Sequence, residues 1–201
     1  WRTVNGVRRY YDPETGNIVS GWVDYCDHRY YTDADTGKKT GELQDGGERY
    51  LLDAETGQQQ LGLCTFSDHT VSYYDANGKP VSVWVKVKGK TYHFNSKHLM
   101  QTGWQDFGGK RYYFASSGVM QTGWQNVNGN WYYLNSKGAM QTGWLLKEGK
   151  YYFLNTDGTM AYGWVNSQGS WYYFQKPDGD MLTNAYAPDG RYVNAEGVLI
   201  Q

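Results

Sequence analysis

Gly-Trp pairs recur at a strict interval of twenty residues in the second half of this chain. The four pairs are Gly103-Trp104, Gly123-Trp124, Gly143-Trp144 and Gly163-Trp164. The same frame continues less regularly at Gly21-Trp22, Gly41-Glu42, Gly62-Leu63, Val83-Trp84 and Ala185-Tyr186. A fixed period of this length is typical of repeat arrays, in which each unit packs mainly against its neighbours. No single compact core is needed in such a chain.

Each repeat has the pattern of a β-hairpin. Residues 124–127 predict a short strand, Asn128-Gly129 a tight turn with positive φ, and residues 131–134 the return strand. A loop follows in which Gly138 is expected to adopt a left-handed conformation. No stretch has helical periodicity, and an isolated hairpin is marginal in water. We therefore predict an all-β solenoid of about ten stacked hairpin repeats of ~20 residues.

Composition narrows the function classes. The net charge of -1 argues against nucleic acid as a partner, and no apolar run is long enough to span a membrane. Aromatic residues make up 17% of the chain, with 9 Trp and 20 Tyr, whereas aliphatic residues are scarce. Cys26 and Cys64 could form one disulfide or stay free, and with His28 and His69 they make a formal quartet whose spacing matches no zinc site. We therefore expect no metal.

Strand alternation indicates which aromatic rings can meet. Trp131 and Tyr133 lie on one face of their strand, and stacking in the same sense lets Trp131 face Tyr152 of the next repeat. Trp124 can add a third wall. Three rings around a gap would suit a cation that has no hydrogen-bond donor. The alternative is that the rings only fill the solenoid, which is the simpler reading for many of the tyrosines.

The stretch "MQTGWQNVNGNWYYLNSKGA" and its copies resemble the choline-binding repeats of streptococcal (pneumococcal) surface proteins, a family of cell-wall-binding repeats. The resemblance is strongest over residues 83–181 and fainter elsewhere. It implies a left-handed superhelix of hairpins that binds choline or phosphocholine on teichoic and lipoteichoic acids, with no cofactor. It also implies an extracellular protein attached non-covalently to the cell wall.

The resemblance further implies aromatic boxes between successive repeats, each with a methionine at its floor. Carried onto this sequence, the boxes are Trp124, Trp131 and Tyr152 with Met140; Trp144, Tyr151 and Tyr172 with Met160; and Trp164, Trp171 and Tyr192 with Met181. Two further boxes are doubtful, because Arg111 stands between Trp104 and Tyr132, and Thr91 between Trp84 and Tyr112.

Upstream, the wall positions hold other residues. The position of the first ring is occupied by Glu42 or Leu63. The position of the second ring is occupied by Arg29, Arg49 or Val71, and by Arg9 in the repeat that begins with Trp1. We therefore divide the chain into divergent repeats at residues 1–82 and consensus repeats with a degenerate last copy at residues 83–201. The first part is expected to present its surface to a host or envelope protein.

Three acidic loops, at residues 12–16, 33–37 and 53–57, fit solvated turns better than calcium ligands. These repeats also resemble those of glucan-binding proteins and clostridial toxins, so carbohydrate binding (a glucan or a host glycan) is the alternative function.

No catalytic constellation is visible. His28, His69, His93 and His98 lie at unrelated repeat positions, with no nucleophile or paired carboxylate in register. The chain begins in mid-repeat, which we interpret as a mature or trimmed product, and the repeats leave no segment for a catalytic domain. We therefore expect a non-catalytic protein.

Overall fold

The computed structural model describes residues 1–200, and within them every regular element is a β-strand. The prediction of an all-β chain of hairpin repeats is thereby confirmed. The strands form two compact units, the first comprising Trp1–Gln101 and the second beginning at Thr102. No helix in the described part of the chain is long and apolar enough to cross a membrane.

In the first unit, each hairpin pairs two consecutive strands, and β5 adds a third strand to the β3–β4 hairpin. The strands are β1 (Arg2–Val4), β2 (Val7–Arg9), β3 (Gly21–Tyr25), β4 (His28–Asp33), β5 (Gly37–Lys38), β6 (Gly41–Asp45), β7 (Glu48–Leu52), β8 (Gly62–Thr65), β9 (Val71–Tyr74), β10 (Val83–Val87) and β11 (Lys90–Phe94).

The second unit repeats the two-stranded hairpin more regularly. Its strands are β12 (Gly103–Phe107), β13 (Lys110–Phe114), β14 (Gly123–Val127), β15 (Asn130–Leu134), β16 (Gly143–Lys147), β17 (Lys150–Leu154), β18 (Gly163–Ser167), β19 (Ser170–Phe174), β20 (Ala185–Tyr186) and β21 (Tyr192–Val193).

The hairpin at β14–β15 has the turn that the sequence predicts. Asn128 and Gly129 connect the strands with φ values of 53° and 82°, which is the left-handed conformation at both turn positions. Gly138 in the following loop has φ 81°. The register places Gly123 opposite Leu134, so that the glycine of each Gly-Trp pair lies beside the last residue of the return strand.

That last residue forms the core of the repeat. In the second unit its side chain is 0% exposed at every copy: Phe114, Leu134, Leu154, Phe174 and Val193. Thr32, Leu52, Tyr74 and Phe94 occupy the position in the first unit and are at most 2% exposed. One fully buried side chain in each of these nine repeats explains how a chain poor in aliphatic residues folds.

Within each unit, backbone bonds connect a hairpin to the one before it. The amide of Met160, which follows hairpin β16–β17, donates to the carbonyl of Trp131 in the preceding return strand at 2.7 Å. The Met140 side chain packs against the loop glycine Gly158, where an added Cβ would lie 2.4 Å from the Met140 sulfur. These contacts fix the position of a hairpin relative to the preceding hairpin of its own unit.

The acidic loops are satisfied internally. Asp53 Oδ1 accepts bonds from the amide and the hydroxyl of Thr56, at 2.7 and 2.8 Å, and these bonds lower the pKa of Asp53. Asp12 and Asp33 are bonded in the same way to the threonine of their own loops. This geometry is that of a side-chain-stabilised turn. No group of three or more His, Cys, Asp or Glu in residues 1–200 could hold a metal ion.

The two cysteines are free thiols, Cys26 exposed and Cys64 buried. Cys64 packs with Phe66 and Tyr74 in a small apolar cluster, and burial raises the pKa of its thiol to about 11. The thiol therefore stays protonated and behaves as a small hydrophobic side chain.

Candidate ligand-binding boxes

Trp124, Trp131 and Tyr152 form a three-sided box in the second unit. The Trp124 ring centroid lies 6.5 Å from that of Trp131, with the planes at 89°, and 5.0 Å from that of Tyr152. Tyr133 packs beneath Trp124 at 5.2 Å and holds its orientation. Trp131 remains 39% exposed, so its face is open to a ligand. We call this set box A.

The methionine at box A is Met160, whereas the sequence interpretation assigned Met140. Met160 lines the cavity of about 230 Å³ together with the three rings. The reason is the inter-repeat bond from the Met160 amide to Trp131, which brings the methionine of the following repeat under the box. Met140 makes the same bond to Arg111, at 2.8 Å, and so belongs one repeat earlier.

Trp144, Tyr151 and Tyr172 form a second box, which we call box B. The Trp144 centroid lies 6.2 Å from Tyr151 and 4.7 Å from Tyr172, with the ring planes at 85° and 82°. Met181, and not Met160, lines its cavity of about 540 Å³. Trp144 Nε1 donates to Ser167 Oγ at 3.0 Å, which fixes the ring.

The third expected box, Trp164, Trp171 and Tyr192, is not assembled. Tyr192 lies opposite Tyr186 in the β20–β21 pair, as Tyr173 lies opposite Trp164 in β18–β19. Val193 lies nineteen positions after Phe174, whereas the preceding core residues of the second unit are twenty apart, so Arg191 and not Tyr192 holds the position two residues before the core residue that Tyr152 and Tyr172 hold. The prediction for Tyr192 is therefore wrong. Its hydroxyl donates to Asn184 Oδ1 at 2.6 Å instead.

Arg191 takes the place that a tyrosine occupies in boxes A and B. Its guanidinium carbon lies 4.1 Å from the Trp164 ring centroid. Asp189 holds it there, accepting from Arg191 at 2.6 and 2.9 Å and from Trp164 Nε1 at 2.7 Å. The bonds from Arg191 are the main cause of a lowered pKa at Asp189, about 2. The guanidinium of Arg191 thus covers the ring of Trp164, which would be the first wall of this box, while Trp171 stays 45% exposed.

The doubtful box at Trp104 and Tyr132 is closed in a related way. The two rings are 4.8 Å apart, as in boxes A and B, but Arg111 lies 5.5 Å over Trp104. Asp106 lies 3.5 Å from Arg111 Nε. Trp84 and Tyr112 are the other doubtful pair. Trp84, in the first unit, packs edge-on against His93 with the ring centroids 4.9 Å apart. Tyr112, in the second unit, has its ring centroid 5.9 Å from that of Phe107.

Arginine closes boxes in the first unit too. Arg29 lies 4.8 Å over the ring of Trp22, and Tyr50 packs against the same ring at 4.7 Å. At Trp1 the closing residue is Arg8, at 5.8 Å. The sequence pattern places Arg9 at this position. The strand register shows that Arg8 is the equivalent of Arg29, because Arg8 pairs with Thr3 in the first hairpin as Arg29 pairs with Asp24 in the next.

Arg49 is fixed elsewhere, bonded to Asp68 Oδ2 at 2.8 Å and Glu42 Oε2 at 3.2 Å, over the ring of Phe66 at 4.1 Å. No aromatic box remains at this repeat position.

Sequence reasoning missed the carboxylates at the two open boxes. Asp178 lines box A and Glu196 lines box B, each from the loop of the repeat that follows. Both residues directly precede a loop glycine, Gly179 or Gly197, and that recurring acidic position was the available signal. A carboxylate beside a ring cage adds attraction for a cation.

Two family models match the chain. The model described as choline-binding repeat matches residues 121–157 and 147–186, and the model described as putative cell wall binding repeat matches residues 84–97 and 102–120. Choline binding protein F from Streptococcus pneumoniae, solved in the presence of a peptidoglycan analogue, is 33% identical. The alignment covers 97% of this chain and 69% of that protein, with a TM-score of 0.74. The chain belongs to the choline-binding repeat proteins.

Two other proteins are similar to this chain over different lengths. CbpJ from Streptococcus pneumoniae is 26% identical over 100% of this chain and 92% of its own, with a TM-score of 0.75. The curated relative Glucosyltransferase-I from Streptococcus downei is 33% identical over 102 residues, which are 49% of this chain and 6% of that protein. This choline-binding repeat chain thus matches only a small part of that enzyme.

Proposed function

We propose that this protein binds choline groups of cell-wall teichoic and lipoteichoic acids through boxes A and B. It is held in this way, non-covalently, on the outer surface of the cell. Binding at more than one box strengthens attachment to a polymer that displays many choline groups, because later contacts form at high effective concentration.

The observation that carries the proposal is the geometry of box A. Rings of Trp124, Trp131 and Tyr152 approach one cavity from three sides, at centroid separations of 5.0 and 6.5 Å from Trp124. A quaternary ammonium has no N–H to donate, so ring faces attract it where hydrogen-bond acceptors gain little. Asp178 adds a negative charge at the rim. The open side leaves room for the polymer to which the headgroup is attached.

We propose further that the protein acts without catalysis and without a cofactor. The walls of boxes A and B are aromatic rings and a methionine, and among the described residues no histidine, cysteine or lysine that could activate a tyrosine hydroxyl lines either cavity. The carboxylates Asp178 and Glu196 stand singly at separate boxes, in cavities of about 230 and 540 Å³. A lone carboxylate beside a cage supports ligand attraction rather than hydrolysis.

Residues 1–82 are proposed to serve a different interaction, with a host or envelope protein or with a carbohydrate. Arg29 and Arg8 cover the rings of Trp22 and Trp1, at 4.8 and 5.8 Å. A positive guanidinium at the place of the ligand repels a second cation. These repeats therefore support the fold and leave choline to residues 83–201.

The test compares choline with its neutral analogue, in which carbon replaces the ammonium nitrogen. A cation–π contact contributes about 0.5–2 kcal/mol, so the analogue should bind several-fold more weakly in a calorimetric titration. Equal affinity for both compounds would identify the boxes as plain apolar pockets and refute the mechanism.

Trp131→Ala should weaken binding at box A by a similar or larger factor, because it removes one of three ring walls. Trp171→Ala is the matched control, since Trp171 is a similarly exposed tryptophan at the same repeat position but next to the arginine-closed Trp164. It should leave choline binding unchanged. A loss of the same size in both variants would contradict the assignment of the boxes.

A further inference from the structure

A polar cavity of the first unit includes two positions that correspond to positions of a choline box. Its volume is about 460 Å³, and Arg29 and Gln59 line it. The Gln59 amide donates to the Arg29 carbonyl at 2.7 Å, as the Met160 amide does to Trp131 in box A. Gln59 therefore stands in the place of the floor methionine, and Arg29 in the place of the second tryptophan.

Two polar groups at this cavity have unmet hydrogen-bonding capacity. Gln59 is 8% exposed; its Nε2 donates to the Gly78 carbonyl at 2.7 Å, while no bond to its buried Oε1 is found within residues 1–200. Arg29 Nε is likewise buried without a hydrogen bond to the described residues, and Asp24 Oδ1 lies 3.9 Å away. An unmet buried polar group costs about 1–3 kcal/mol, so such a pair indicates a site for a polar ligand.

The lining restricts the chemistry of that ligand. Asp24 and Asp27 supply acceptors, Arg29 supplies donors, and His28 can do either. Arg29 disfavours a quaternary ammonium, and the two carboxylates disfavour an anion. Hydroxyl groups both donate and accept, so they can meet this mixed set without carrying charge. Leu61, which is 52% exposed, offers an apolar surface for the C–H face of a ring.

We propose that this cavity binds one end or unit of a neutral carbohydrate. Its volume is within the range of small-molecule sites, roughly 300–1,000 Å³. The inference rests on the proposal that residues 1–82 have a ligand other than choline, and it names that ligand by class. The repeat unit is thus used twice, with an aromatic lining for a cation and with a polar lining for a sugar.

The test titrates the full chain with an N-acetylglucosamine trimer and with isomaltotriose, observed by saturation-transfer NMR. Saturable binding of either sugar is expected, and the one that binds distinguishes a cell-wall glycan from an α-glucan. Gln59→Met should weaken it about tenfold or more, because methionine cannot accept the sugar's hydrogen bonds. Methionine already packs against the equivalent loop glycine elsewhere in the array, so this variant should fold.

Asp27→Asn is a second variant, chosen because Asp27 has φ 61° and asparagine tolerates that conformation. It should weaken sugar binding while both variants keep the choline affinity of the parent. Absence of saturable binding for both sugars, or unchanged affinity in Gln59→Met, would overturn the inference. Sugar binding in a chain that fails to bind choline would instead overturn the proposed function and leave this site standing.

Discussion

Arg111→Trp should create an additional choline site. Trp104 and Tyr132 are already 4.8 Å apart, a separation that matches the corresponding pairs of boxes A and B. Met140 is in position, because its amide bonds to the Arg111 carbonyl at 2.8 Å. The missing element is a ring in place of the guanidinium 5.5 Å over Trp104. The replacement removes a competing charge and adds a wall, so a calorimetric titration should give one more site per chain.

Two control variants separate these contributions. Arg111→Leu removes the charge without adding a ring, and it should yield a site much weaker than that of Arg111→Trp. Arg29→Trp adds a ring beside Trp22 and Tyr50, but Gln59 remains where a methionine lies in boxes A and B. It should gain less affinity for choline than Arg111→Trp does. An unchanged stoichiometry in Arg111→Trp would show that ring identity at this position does not decide binding.

Gly37→Ala should destabilise the first unit strongly. Gly37 has φ 79°, and a Cβ there would lie 2.5 Å from the Arg8 carbonyl oxygen and 2.6 Å from a Val7 methyl. The left-handed conformation alone costs about 1–2 kcal/mol for alanine. Displacing a backbone carbonyl adds about 1–3 kcal/mol, because it cannot rotate away as a side chain can. The midpoint of thermal unfolding, followed by circular dichroism, should fall clearly.

Gly16→Ala is the matched control for this substitution. Gly16 ends the equivalent acidic loop one repeat earlier, with φ 72°, and nothing lies within 4 Å of an added Cβ. Its destabilisation should be limited to the conformational cost. Equal destabilisation in the two variants would show that the close approach of Gly37 to the preceding hairpin adds no cost to the substitution.

The period of the Gly-Trp pairs predicts the hairpins, and strand alternation predicts the ring set of box A, whereas the ring set of box B is implied by the family resemblance. Each of those features depends on spacing within one repeat or between adjacent repeats of equal length. The turn at Asn128-Gly129 and the approach of Trp124 to Tyr152 therefore follow from counting residues.

The incorrect predictions concern residues whose place in the structure does not follow from counting along repeats of constant length. Met160 reaches box A because of a backbone bond to Trp131, twenty-nine residues earlier in the chain, which no local pattern reveals. The position of Tyr192 does not follow from the count because the last hairpin has another length: Ala185 pairs with Val193, eight positions away, where Gly163 pairs with Phe174, eleven positions away. The sequence shows that Arg111 stands where a ring is expected, but it does not show that the guanidinium lies over the ring of Trp104.

The shortened last repeat has a consequence for how such chains diversify. A duplication of twenty residues adds a complete set of walls and one binding site, so affinity for a polymer changes in whole steps. A change of length between two core positions, as between Phe174 and Val193, places Arg191 where boxes A and B have a tyrosine, while the β20–β21 hairpin still forms. Duplication of a repeat therefore adds sites to this architecture, and changes in repeat length remove them while the hairpin is kept.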